Sequence, residues 1–558
     1  MRTLGASPLF EPIVDADSAP ITLSKLQQGQ LIAAANYHAL RNPGALIELR
    51  IGIGDISQIP ALTDDSTLDG SASSSTIVAA SAGTGTRTIR IRSKATGSIQ
   101  PAPPERPIVR WIRLSHPEAT PATTEPPAPA SLPRRVYRGL ERRAPKLLDA
   151  VRETIMSRRE REISGPLPRY PDCPAASESL PIIEAWKHTP AYPLPEAPRA
   201  ILFGLHWLQT GGAERWAVES ISLARNAGFL PVVVTDQDSV HPWLTRPELD
   251  GCVIITMSFH EHLHRLDIAL THALLENFNF AGAVLHHCQW LYLSLPWIKQ
   301  HRPALPIVDS LHIVEYLGGG YPGISAQYDA FVDTHHVISP ALVSWLTEIQ
   351  GVNNEKIALA PLTTLTAADA KEFRRRDTRS PFTIAFVGRL SRQKRPDVFL
   401  MLTHRLKRSG IPFRAIMHGD GEMRDIVDGL IDRFGLRNTI DQRYEDTPVS
   451  ETLAETDLLV ITSINEGLTL TTFEAIAAGV PVLSTDVGSQ RTIVQGDMLA
   501  PRPARPFVSQ STSVISRLAW SENLRELRWQ EQRDRVTKFS ELPTAHEWMK
   551  ETFAQWHA

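Results

Sequence analysis

The sequence is poor in the features that mark a secreted, metal-binding or membrane-spanning protein. Only three of its 558 residues are cysteines, and they are widely separated without a C-x-x-C pair, which excludes a readable disulfide framework or zinc knuckle. No uncharged apolar run reaches the roughly 18 residues needed to span a bilayer. The segment Met1–Asp15 lacks a basic region followed by an apolar core, so it does not resemble a secretory signal. We therefore expect a cytoplasmic protein.

An excess of charge of one sign is also lacking. The 58 Lys and Arg residues nearly balance the 61 Asp and Glu residues, which leaves a formal charge of −3 and argues against a nucleic-acid partner. A hydrophobic share of 42% and a charged share of 21% are ordinary for globular chains. The length suggests about three domains. The 43 prolines indicate linkers between them.

The first hundred residues contain short β-rich runs separated by Gly-rich and Ser-rich turns. In Arg87–Arg92 apolar and basic residues alternate, which is the period of a strand with one buried face. The other runs are Ala45–Ile53, Thr76–Ala80 and Ile108–Leu114. Together they predict a small antiparallel β-rich accessory domain over residues 1–116, for which scaffolding is the simplest interpretation.

Residues 117–199 predict Pro-rich linkers on either side of a basic helical segment. That segment, residues 134–163, holds ten Lys or Arg against five Asp or Glu and is interrupted by Pro145. Its apolar residues fall roughly on one helical face: Leu140, Leu147, Leu148, Val151 and Ile155. Two interpretations stay open, a peripheral contact with anionic lipid at the inner face of the plasma membrane and a solvated helix packed on a neighbouring domain.

From Ala200 onward apolar strands alternate with helical segments, the pattern of parallel sheets covered by helices. The first series of predicted strands is 200–205, 231–235, 253–257, 283–286 and 306–310, and the second is 382–387, 413–418, 458–462 and 480–484. We predict two Rossmann-like domains over residues 200–362 and 380–558. Such domains bind ligands at the carboxyl ends of their strands.

A paired glycine follows the first of these strands. Gly211 and Gly212 stand between the strand and a helix that opens with Ala213-Glu214-Arg215. Glycines let a backbone approach a ligand closely, and a helix N-terminus offers free N–H groups to an anion. A tight turn explains the pair equally well, and the segment is not the G-x-G-x-x-G fingerprint of a dinucleotide site.

The turn after the predicted strand 382–387 carries two cations. Gly388-Arg389-Leu390 leaves the strand, and Lys394 precedes a helix that Pro396 opens. Arginine bonds a diphosphate through two N–H groups and lysine acts as a point charge, so a diphosphate fits this rim. Solvation at a surface would explain either cation alone. The next strand leaves through a second glycine-hinged turn, Gly419-Asp420-Gly421.

The strongest signal is a pair of glutamates eight residues apart. A predicted strand ends at Thr462, Glu466 lies in the following loop, and a predicted helix from Leu470 to Ala478 carries Glu474. Helix side chains tilt toward the helix N-terminus, so we expect Glu474 to lean back toward the cleft and to converge with Glu466. Carboxylates accept hydrogen bonds from sugar hydroxyls.

These residues resemble a known family. The pair Glu466 and Glu474, followed by Ala475–Val482, is similar to the carboxyl half of retaining GT-B glycosyltransferases of the family 4 type, the glycosyl transferases group 1. The turns at 211–215, 388–394 and 419–424 resemble its other hallmarks in the same order. The resemblance runs from about Ala200 to the C-terminus. It implies a GT-B fold of two Rossmann-like βαβ domains facing a cleft, here preceded by the β-rich accessory domain.

The resemblance also implies roles for individual residues. Arg389 and Lys394 would hold the donor diphosphate, and Glu474 would bond the nucleotide ribose. Glu466 would lie beside the transferred sugar, and His312 would contact that sugar at the reaction centre. The catalytic candidates are therefore His312, Glu466, Arg389 and Lys394. The candidates for donor binding are Gly211, Gly212, Gly388, Arg389, Lys394, Gly419, Gly421, Glu466, Gly467, Leu468, Thr469 and Glu474.

The chain departs from the family pattern at three places. Leu468-Thr469 stands where an aromatic residue and glycine are usual, and the side chain of Thr469 would crowd the approach to the phosphates. Gly488-Ser489 and Thr492 replace a double glycine and a glutamate. Cys288 stands where a second histidine often follows His286. The donor sugar and nucleobase stay open.

The implied reaction is transfer of a sugar from a nucleotide diphosphate-sugar to a hydroxyl group, with retained configuration and with neither metal nor cofactor. A cell-envelope glycan or glycolipid is the expected acceptor. The loop Tyr316–Pro322, which contains the glycine run Gly318–Gly320, is expected to be a mobile acceptor-side segment. The alternatives are a nucleotide-sugar epimerase or phosphorylase on the same fold, and an inactive module that binds nucleotide sugars.

Overall fold

The computed structural model describes residues 8–13, 22–53, 68–70, 87–100, 102–115, 145–173, 184–209, 211–237, 239–257, 267–362, 372–376, 380–444 and 446–557. The predicted strand 76–80, the linker 117–133, residues 134–144 of the basic helical segment and residues 174–183 of the second linker lie outside these residues. Across the described ranges the chain forms three β-sheets.

The amino-terminal unit is a sheet covered by one helix. Its elements are β1 (Phe10–Ile13), α1 (Lys25–Arg41), β2 (Leu46–Ile53), β3 (Leu68–Gly70), β4 (Arg87–Ser93) and β5 (Ile108–Leu114). The strand order is β1-β4-β2-β5-β3, with antiparallel pairing around β4 and parallel pairing around β5. The prediction of an antiparallel sheet is therefore wrong in part, because alternation along a strand reports a buried face and not the direction of its neighbours.

Two helices follow in the described part of the connecting region, α2 (Pro145–Glu162) and α3 (Glu184–Lys187). The described part of the predicted basic helix starts at Pro145, and residues 134–144 lie outside the described residues. Proline suits a helix start because its missing N–H group has no partner there.

The amino-terminal lobe contains a parallel sheet. Its strands are β6 (Arg199–Leu205), β7 (Leu230–Thr235), β8 (Val253–Thr256), β9 (Asn279–His286), β10 (Ile307–Leu311), β11 (Thr334–Val337) and β12 (Ile357–Leu359). The helices are α4 (Gly212–Asn226), α5 (Ile268–Asn277), α6 (Gln289–His301), α7 (Gly320–Gln327) and α8 (Pro340–Ser344). In the order β12-β11-β10-β9-β6-β7-β8 the direction of winding reverses between β6 and β9.

The carboxyl-terminal lobe repeats this plan. Its strands are β13 (Phe382–Val387), β14 (Phe413–His418), β15 (Ile440–Arg443), β16 (Leu458–Ile461), β17 (Val482–Thr485) and β18 (Leu499–Ala500). Its helices are α9 (Pro396–Arg408), α10 (Arg424–Arg433), α11 (Val449–Glu455), α12 (Leu470–Ala477), α13 (Ala504–Trp520), α14 (Glu522–Ser540) and α15 (Ala545–His557). The order β15-β14-β13-β16-β17-β18 reverses between β13 and β16.

The expected fold class is confirmed: the chain is α/β, with two Rossmann-like parallel sheets and a small β-sheet before them. Every predicted strand of both lobes is present, shifted by a few residues at most except for the earlier start of β9. The short strands β11, β12, β15 and β18 were not predicted, because two to four residues are too few to show a period.

The amino-terminal unit shares a core with the amino-terminal lobe. Buried residues of α1, such as Leu31, and of β8, such as Ile255, belong to one continuous apolar cluster. The Asn36 side-chain amide donates to the carbonyl of Ile254 at 2.8 Å, and that of Gln30 donates to the carbonyl of Val240 at 2.8 Å. The unit is thus packed onto the edge of the seven-stranded sheet.

Helix α2 and the segment after it touch both lobes. On the carboxyl-terminal side, Glu153 accepts hydrogen bonds from the Arg502 guanidinium at 2.5–3.1 Å. On the amino-terminal side, the Leu167 N–H donates to the Gln350 side chain at 2.9 Å and the Tyr170 N–H donates to the carbonyl of Gln327 at 2.9 Å. Residues 145–173 therefore form a strap across the two lobes, and the described part of the basic helix packs on the carboxyl-terminal lobe.

The ion pair between Glu153 and Arg502 should anchor this strap. Burial alone would raise the pKa of Glu153, but the hydrogen bonds from Arg502 hold it below its usual value. Glu153→Gln should lower the free energy of unfolding by about 1–2 kcal/mol and speed tryptic cleavage at Arg158 and Arg161, because a half-buried guanidinium loses the nearer of its two carboxylate partners and keeps only Glu160 at 3.1 Å. Differential scanning fluorimetry and limited proteolysis measure the two effects.

The matched control is Glu162→Gln on the same helix. Glu162 is 59% exposed and pairs with the still more exposed Arg158 at 3.6 Å, so its loss should change stability by less than about 0.5 kcal/mol. Equal effects of the two substitutions would contradict the anchoring role of Glu153.

Candidate functional site

The candidate site of the carboxyl-terminal lobe lies where the winding of its sheet reverses. The loops after β13 and β16 leave adjacent strand ends and bond to each other. The Thr462 hydroxyl donates to the carbonyl of Lys394 at 2.7 Å, and the Ile464 N–H donates to the carbonyl of Gln393 at 2.8 Å. Ligands of open α/β sheets bind at such reversals, because the two loops diverge and leave a crevice.

Lys394 and Glu466 meet in this crevice. The Lys394 Nζ lies 2.5 Å from the Glu466 Oε1, and the Ser463 hydroxyl donates to the same oxygen. The Glu466 residue is only 6% exposed, so its charge depends on these two donors. Both residues were predicted from the sequence as site residues, but the ion pair between them was not predicted.

Arg389 is the second predicted cation, and it is exposed at the mouth of the crevice. Its side chain forms no hydrogen bond or ion pair with any residue that the structure describes, so the guanidinium is available to an anion. Arg395, which follows Lys394 in the chain, was not predicted as a site residue. It is buried, has a left-handed φ of 54°, and donates to the carbonyl of Arg502 at 2.7 Å.

The glycines of the predicted donor loops allow those loops to pack on each other. A Cβ atom at Gly419, which has a φ of +141°, would lie 2.1 Å from the carbonyl oxygen of Gly388. One at Gly421 would lie 2.6 Å from the carbonyl oxygen of Leu390. These glycines are therefore needed for the loop-to-loop contact itself. Their contact with a donor stays a prediction.

Helix α12 carries Glu474 on an exposed position. Partial burial raises its pKa, and its carboxylate forms no hydrogen bond or ion pair within the described part of the chain. The two glutamates are thus in different states, Glu466 buried and paired and Glu474 open to solvent. At the start of the helix Thr469 is buried and its hydroxyl bonds the Gln490 side chain, while Leu468 packs partly on the lobe's core.

The loop that carries Glu466 touches the other lobe directly. A Cβ atom at Gly467 would lie 2.7 Å from the carbonyl oxygen of His312. The Asn465 amide donates to the carbonyl of Val314 at 2.9 Å, and the Tyr316 hydroxyl donates to the carbonyl of Ile464 at 2.9 Å. Only glycine fits this contact at position 467. The end of β10 is therefore held against the loop that follows β16.

Tyr316 belongs to the segment that was expected to be mobile. Besides its bond to Ile464, its hydroxyl accepts from the Arg502 guanidinium at 2.7 Å, and that guanidinium lies 4.9 Å from the centre of the tyrosine ring. The glycine run that follows opens α7 at Gly320. In the structure this segment bridges the cleft.

His312 lies directly after β10 and is buried. Its Nε2 is 3.4 Å from the Ser310 hydroxyl. Burial, reinforced by the neighbouring His286, lowers the pKa of His312 well below its ordinary value, so the imidazole is neutral at pH 7. A neutral imidazole can both donate and accept a hydrogen bond.

At Gly211 and Gly212 the structure reveals an acid that the sequence analysis left unassigned. The Glu214 carboxylate fills the space that a side chain at Gly211 would take, 1.9 Å from the Cβ position. It accepts from the Trp207 indole at 2.8 Å and contacts the His206 Nε2 at 2.9 Å. Gly212 has open space at its Cβ position. Glu214 could have been singled out from the sequence, because it lies only two residues after the glycine pair that was predicted to bind the donor.

The described residues contain neither a candidate metal site nor a candidate membrane span. No group of three or more His, Cys, Asp or Glu residues there has the arrangement of a metal site. None of the described helices combines the length and apolar character needed to cross a membrane.

Comparisons with known proteins point to one family. Residues 369–497 match the family model described as "Glycosyl transferases group 1". A D-inositol 3-phosphate glycosyltransferase of Actinosynnema mirum is 25% identical over 279 residues, covering 44% of this chain and 65% of the relative. The "Putative colanic acid biosynthesis glycosyltransferase WcaL" of Escherichia coli K12 is 26% identical over 212 residues, covering 35% and 51%. The chain thus spans between half and two thirds of the length of these relatives.

Two solved structures are similar at lower identity. Anabaena HepE in complex with UDP and glucose is 17% identical, with a TM-score of 0.46 over 64% of this chain and 98% of HepE. The lipopolysaccharide outer core galactosyltransferase WaaB is 15% identical, with a TM-score of 0.46 over the same shares of the two chains.

Buried histidines should make the amino-terminal lobe sensitive to acid. Burial is the leading cause of a lowered pKa at six of them: His241 to about 3, His272 and His336 to about 4, and His286, His287 and His312 well below the ordinary value. Below about pH 6.5 these histidines are protonated in the unfolded chain but stay neutral in the folded lobe. The free energy of unfolding therefore falls by about 1.4 kcal/mol for each such histidine and each pH unit.

Two buried acids oppose this trend. Burial raises the pKa of Asp236 and of Asp309 to about 6, so their contribution is gained as pH falls and lost as it rises. Because the six histidines outnumber the two aspartates, the free energy of unfolding should fall overall as the pH is lowered from about 6.5 to 4.5. Hydrogen exchange at pH 7 and pH 5, corrected for intrinsic rates, should show the amino-terminal lobe opening first. His336→Gln should flatten the pH dependence, whereas the exposed control His557→Gln should not.

Proposed function

We propose that the protein transfers a sugar from a nucleotide diphosphate-sugar to a hydroxyl group, with retention of configuration and without a metal ion. One observation supports this above the others. The crevice that holds Lys394 and Glu466 abuts the backbone carbonyl of His312 through Gly467, so that cations and a carboxylate stand beside the strand end that carries a neutral imidazole. The match of residues 369–497 to the glycosyl transferases group 1 supports the same chemistry.

The donor diphosphate would bind at Arg389 and Lys394. Arg389 is exposed and uncommitted, so its fork can bond phosphate oxygens without breaking an existing contact. Lys394 would share its charge between the diphosphate and Glu466, which then accepts hydrogen bonds from the hydroxyls of the transferred sugar. Glu474, on the first turns of α12, would accept hydrogen bonds from the ribose.

In the reaction, the acceptor oxygen forms a bond to the anomeric carbon as the bond from that carbon to the phosphate oxygen breaks. The electron pair of the broken bond stays on the diphosphate, and the hydroxyl proton passes to the departing phosphate oxygen on the same face of the sugar. Negative charge grows on the diphosphate, so Arg389 and Lys394 stabilise the transition state more than the ground state. His312 would orient the sugar by hydrogen bonds.

The acceptor is proposed to be a cell-envelope glycan or glycolipid. The similar protein of Escherichia coli is named as a putative colanic acid biosynthesis glycosyltransferase. Helix α2 keeps Val151 and Ile155 half exposed, at 50% and 46%, next to the exposed Arg158. This outer face supports peripheral contact with an anionic membrane from the cytoplasmic side.

Three outcomes separate this proposal from its rivals when the protein is incubated with labelled nucleotide sugars, with and without acceptor extract. Acceptor-dependent release of nucleoside diphosphate supports transfer. Interconversion of sugars without acceptor, or release of sugar phosphate, indicates an epimerase or a phosphorylase. Binding without turnover indicates an inactive module.

Lys394→Ala should lower kcat by a factor on the order of a hundred, because one fixed charge that faces the leaving diphosphate is lost. Lys407→Ala on α9 is the control, since that lysine donates to the carbonyl of Gly435 on the exposed surface. Steady-state kinetics and a thermal melt of both variants measure the effect. Wild-type turnover in the Lys394 variant would overturn the assignment.

Glu474→Gln should weaken binding of UDP or GDP about tenfold, the equivalent of about 1.4 kcal/mol, because a charged acceptor of ribose hydrogen bonds becomes neutral. Isothermal titration calorimetry measures the dissociation constant. The exposed Glu451→Gln on α11 serves as the control and should leave it unchanged. An unaltered affinity in the Glu474 variant would remove the ribose role.

A further inference from the structure

Arg502, two residues after β18, bonds to three separate parts of the chain. Its carbonyl accepts from the Arg395 guanidinium at 2.7 Å. Its own guanidinium donates to the Tyr316 hydroxyl at 2.7 Å and to the Glu153 carboxylate at 2.5–3.1 Å. The side chain is only 10% exposed. One residue therefore joins the carboxyl-terminal lobe, the segment after β10 and the strap 145–173.

The bond to Arg395 holds the turn that presents Lys394. Arg395 is 2% exposed and has a left-handed φ of 54°, a conformation that costs a non-glycine residue energy. The Thr462 hydroxyl donates to the carbonyls of Lys394 and Arg395 at 2.7 and 3.0 Å, so the turn is also tied to the end of β16. Because the Arg502 carbonyl holds the buried Arg395 guanidinium, a displacement of Arg502 would shift this turn and the Lys394 ammonium with it.

The bond to Tyr316 holds the loop that carries Glu466. The Tyr316 hydroxyl accepts from Arg502 and donates to the carbonyl of Ile464 at 2.9 Å, two residues before Glu466. The first bond strengthens the second, because successive hydrogen bonds polarise one another. The guanidinium also lies 4.9 Å from the centre of the tyrosine ring, which adds a cation–π contact. Arg502 therefore sets the position of Tyr316, and Tyr316 sets that of the loop.

The two loops are also bonded to each other. The Ile464 N–H donates to the carbonyl of Gln393 at 2.8 Å, and the Gln393 side-chain amide donates to the carbonyl of Asn465 at 3.1 Å. Arg502 thus closes a ring of hydrogen bonds that runs from one loop through Tyr316 to the other. A displacement of Arg502 would reach both loops of the crevice.

Helix α2 of the strap holds Arg502 in place. Glu153 accepts from the Nε and from one terminal nitrogen of the guanidinium, and Glu160 accepts from the same terminal nitrogen at 3.1 Å. The Arg152 guanidinium of the same helix lies 3.8 Å from the Asp397 carboxylate in the first turn of α9. The strap therefore contacts both Arg502 and the helix that follows the cation-bearing turn.

The Arg502 guanidinium is committed to protein partners and does not itself offer a phosphate site. Burial alone would lower the pKa of Arg502, but Glu153 and Tyr316 raise it above its ordinary value, so the charge is retained. A diphosphate would have to displace buried charged partners from it, which is unfavourable. The exposed Arg389 side chain has no such partner among the described residues. Arg502 can thus affect a donor only through its neighbours.

We propose that Arg502 is a positioning residue of the donor site. It is held by Glu153 and acts through Tyr316 and Arg395 on the loops after β13 and β16, which carry the diphosphate-binding lysine and the sugar-binding glutamate. The inference rests on the proposed function, since the donor is the nucleotide diphosphate-sugar of that reaction. It makes residues 145–173, which precede both lobes in the chain, part of the support of the donor site.

The test uses two mild substitutions in the full-length protein. Tyr316→Phe deletes the bridging hydroxyl and keeps the ring beside the guanidinium. Arg502→Lys keeps a cation near Glu153 but cannot bond several partners at once. Each should weaken binding of UDP or GDP about tenfold in isothermal titration calorimetry, because the groups that face the nucleotide lose their alignment. Tyr316→Phe should keep the wild-type melting temperature, and it keeps the test valid if Arg502→Lys unfolds.

The dissociation constant separates positioning from a merely structural role, because a loss of stability does not change it while the protein stays folded at the assay temperature. Glu153→Gln should weaken nucleotide binding about threefold in the wild-type background and have no further effect in the Arg502→Lys background. Equal effects in the two backgrounds would contradict the proposal that Glu153 acts through Arg502.

Arg517→Lys is the matched control, because Arg517 lies in the same lobe, is 51% exposed and pairs with Asp497 at 2.6 Å. It should leave the nucleotide affinity within about twofold of the wild type. Hydrogen exchange of peptides covering 388–395 and 462–468 gives a second readout that needs no nucleotide. Both peptides should exchange faster in Tyr316→Phe and Arg502→Lys and should be unchanged in the control.

The proposal is overturned if Tyr316→Phe and Arg502→Lys lower only the melting temperature, if the control weakens nucleotide binding as much as they do, or if the exchange of both loops is unchanged. Failure of the proposed function is a separate result, since the wild type would then bind neither UDP nor GDP. The exchange of the two loops alone would then decide whether Arg502 positions them.

Discussion

The rest of the site depends on the close contact between the loop after β16 and the end of β10. Gly467 lies so near the carbonyl of His312 that any side chain would separate the lobes, and Asn465 and Tyr316 bond across the same seam. Because the seam joins the carboxyl ends of both parallel sheets, each lobe presents its reversal of winding to the other. The loops at the reversal in the carboxyl-terminal sheet carry Lys394 and Glu466, and those at the reversal in the amino-terminal sheet carry histidines.

The two faces of the cleft differ in how their polar groups are satisfied. In the carboxyl-terminal lobe the buried carboxylate of Glu466 already has a lysine and a serine, and Arg389 stands free at the mouth. In the amino-terminal lobe Glu214 accepts from the Trp207 indole and contacts His206, and the ring of His287 lies edge-on to that of His312. Under the proposed function, the anionic leaving group would bind at the first face.

The segments outside the two sheets hold this arrangement together. The amino-terminal unit extends the core of its neighbouring lobe, and α15 returns from the carboxyl-terminal lobe to pack its Phe553 among the buried residues under β6. The strap 145–173 binds one lobe through Glu153 and the other through Tyr170. Arg502 connects the strap to Tyr316 and so to the cleft. These contacts join residues hundreds of positions apart, which no local pattern encodes.

The sequence by itself determined the two βα series, nearly all of their strands, and the loops that carry Gly211, Lys394 and Glu466, because periodicity and glycine turns are local properties. The acidic pair Glu466 and Glu474 was also found from the sequence, because its members lie in the loop after one strand and in the helix that follows that loop. Only the tertiary structure decided that Glu466 pairs with Lys394 while Glu474 stays open, that the first sheet is mixed, and that Glu214 contacts His206. Burial, pairing and strand direction depend on residues far apart in the chain, so they exist only once the lobes have packed.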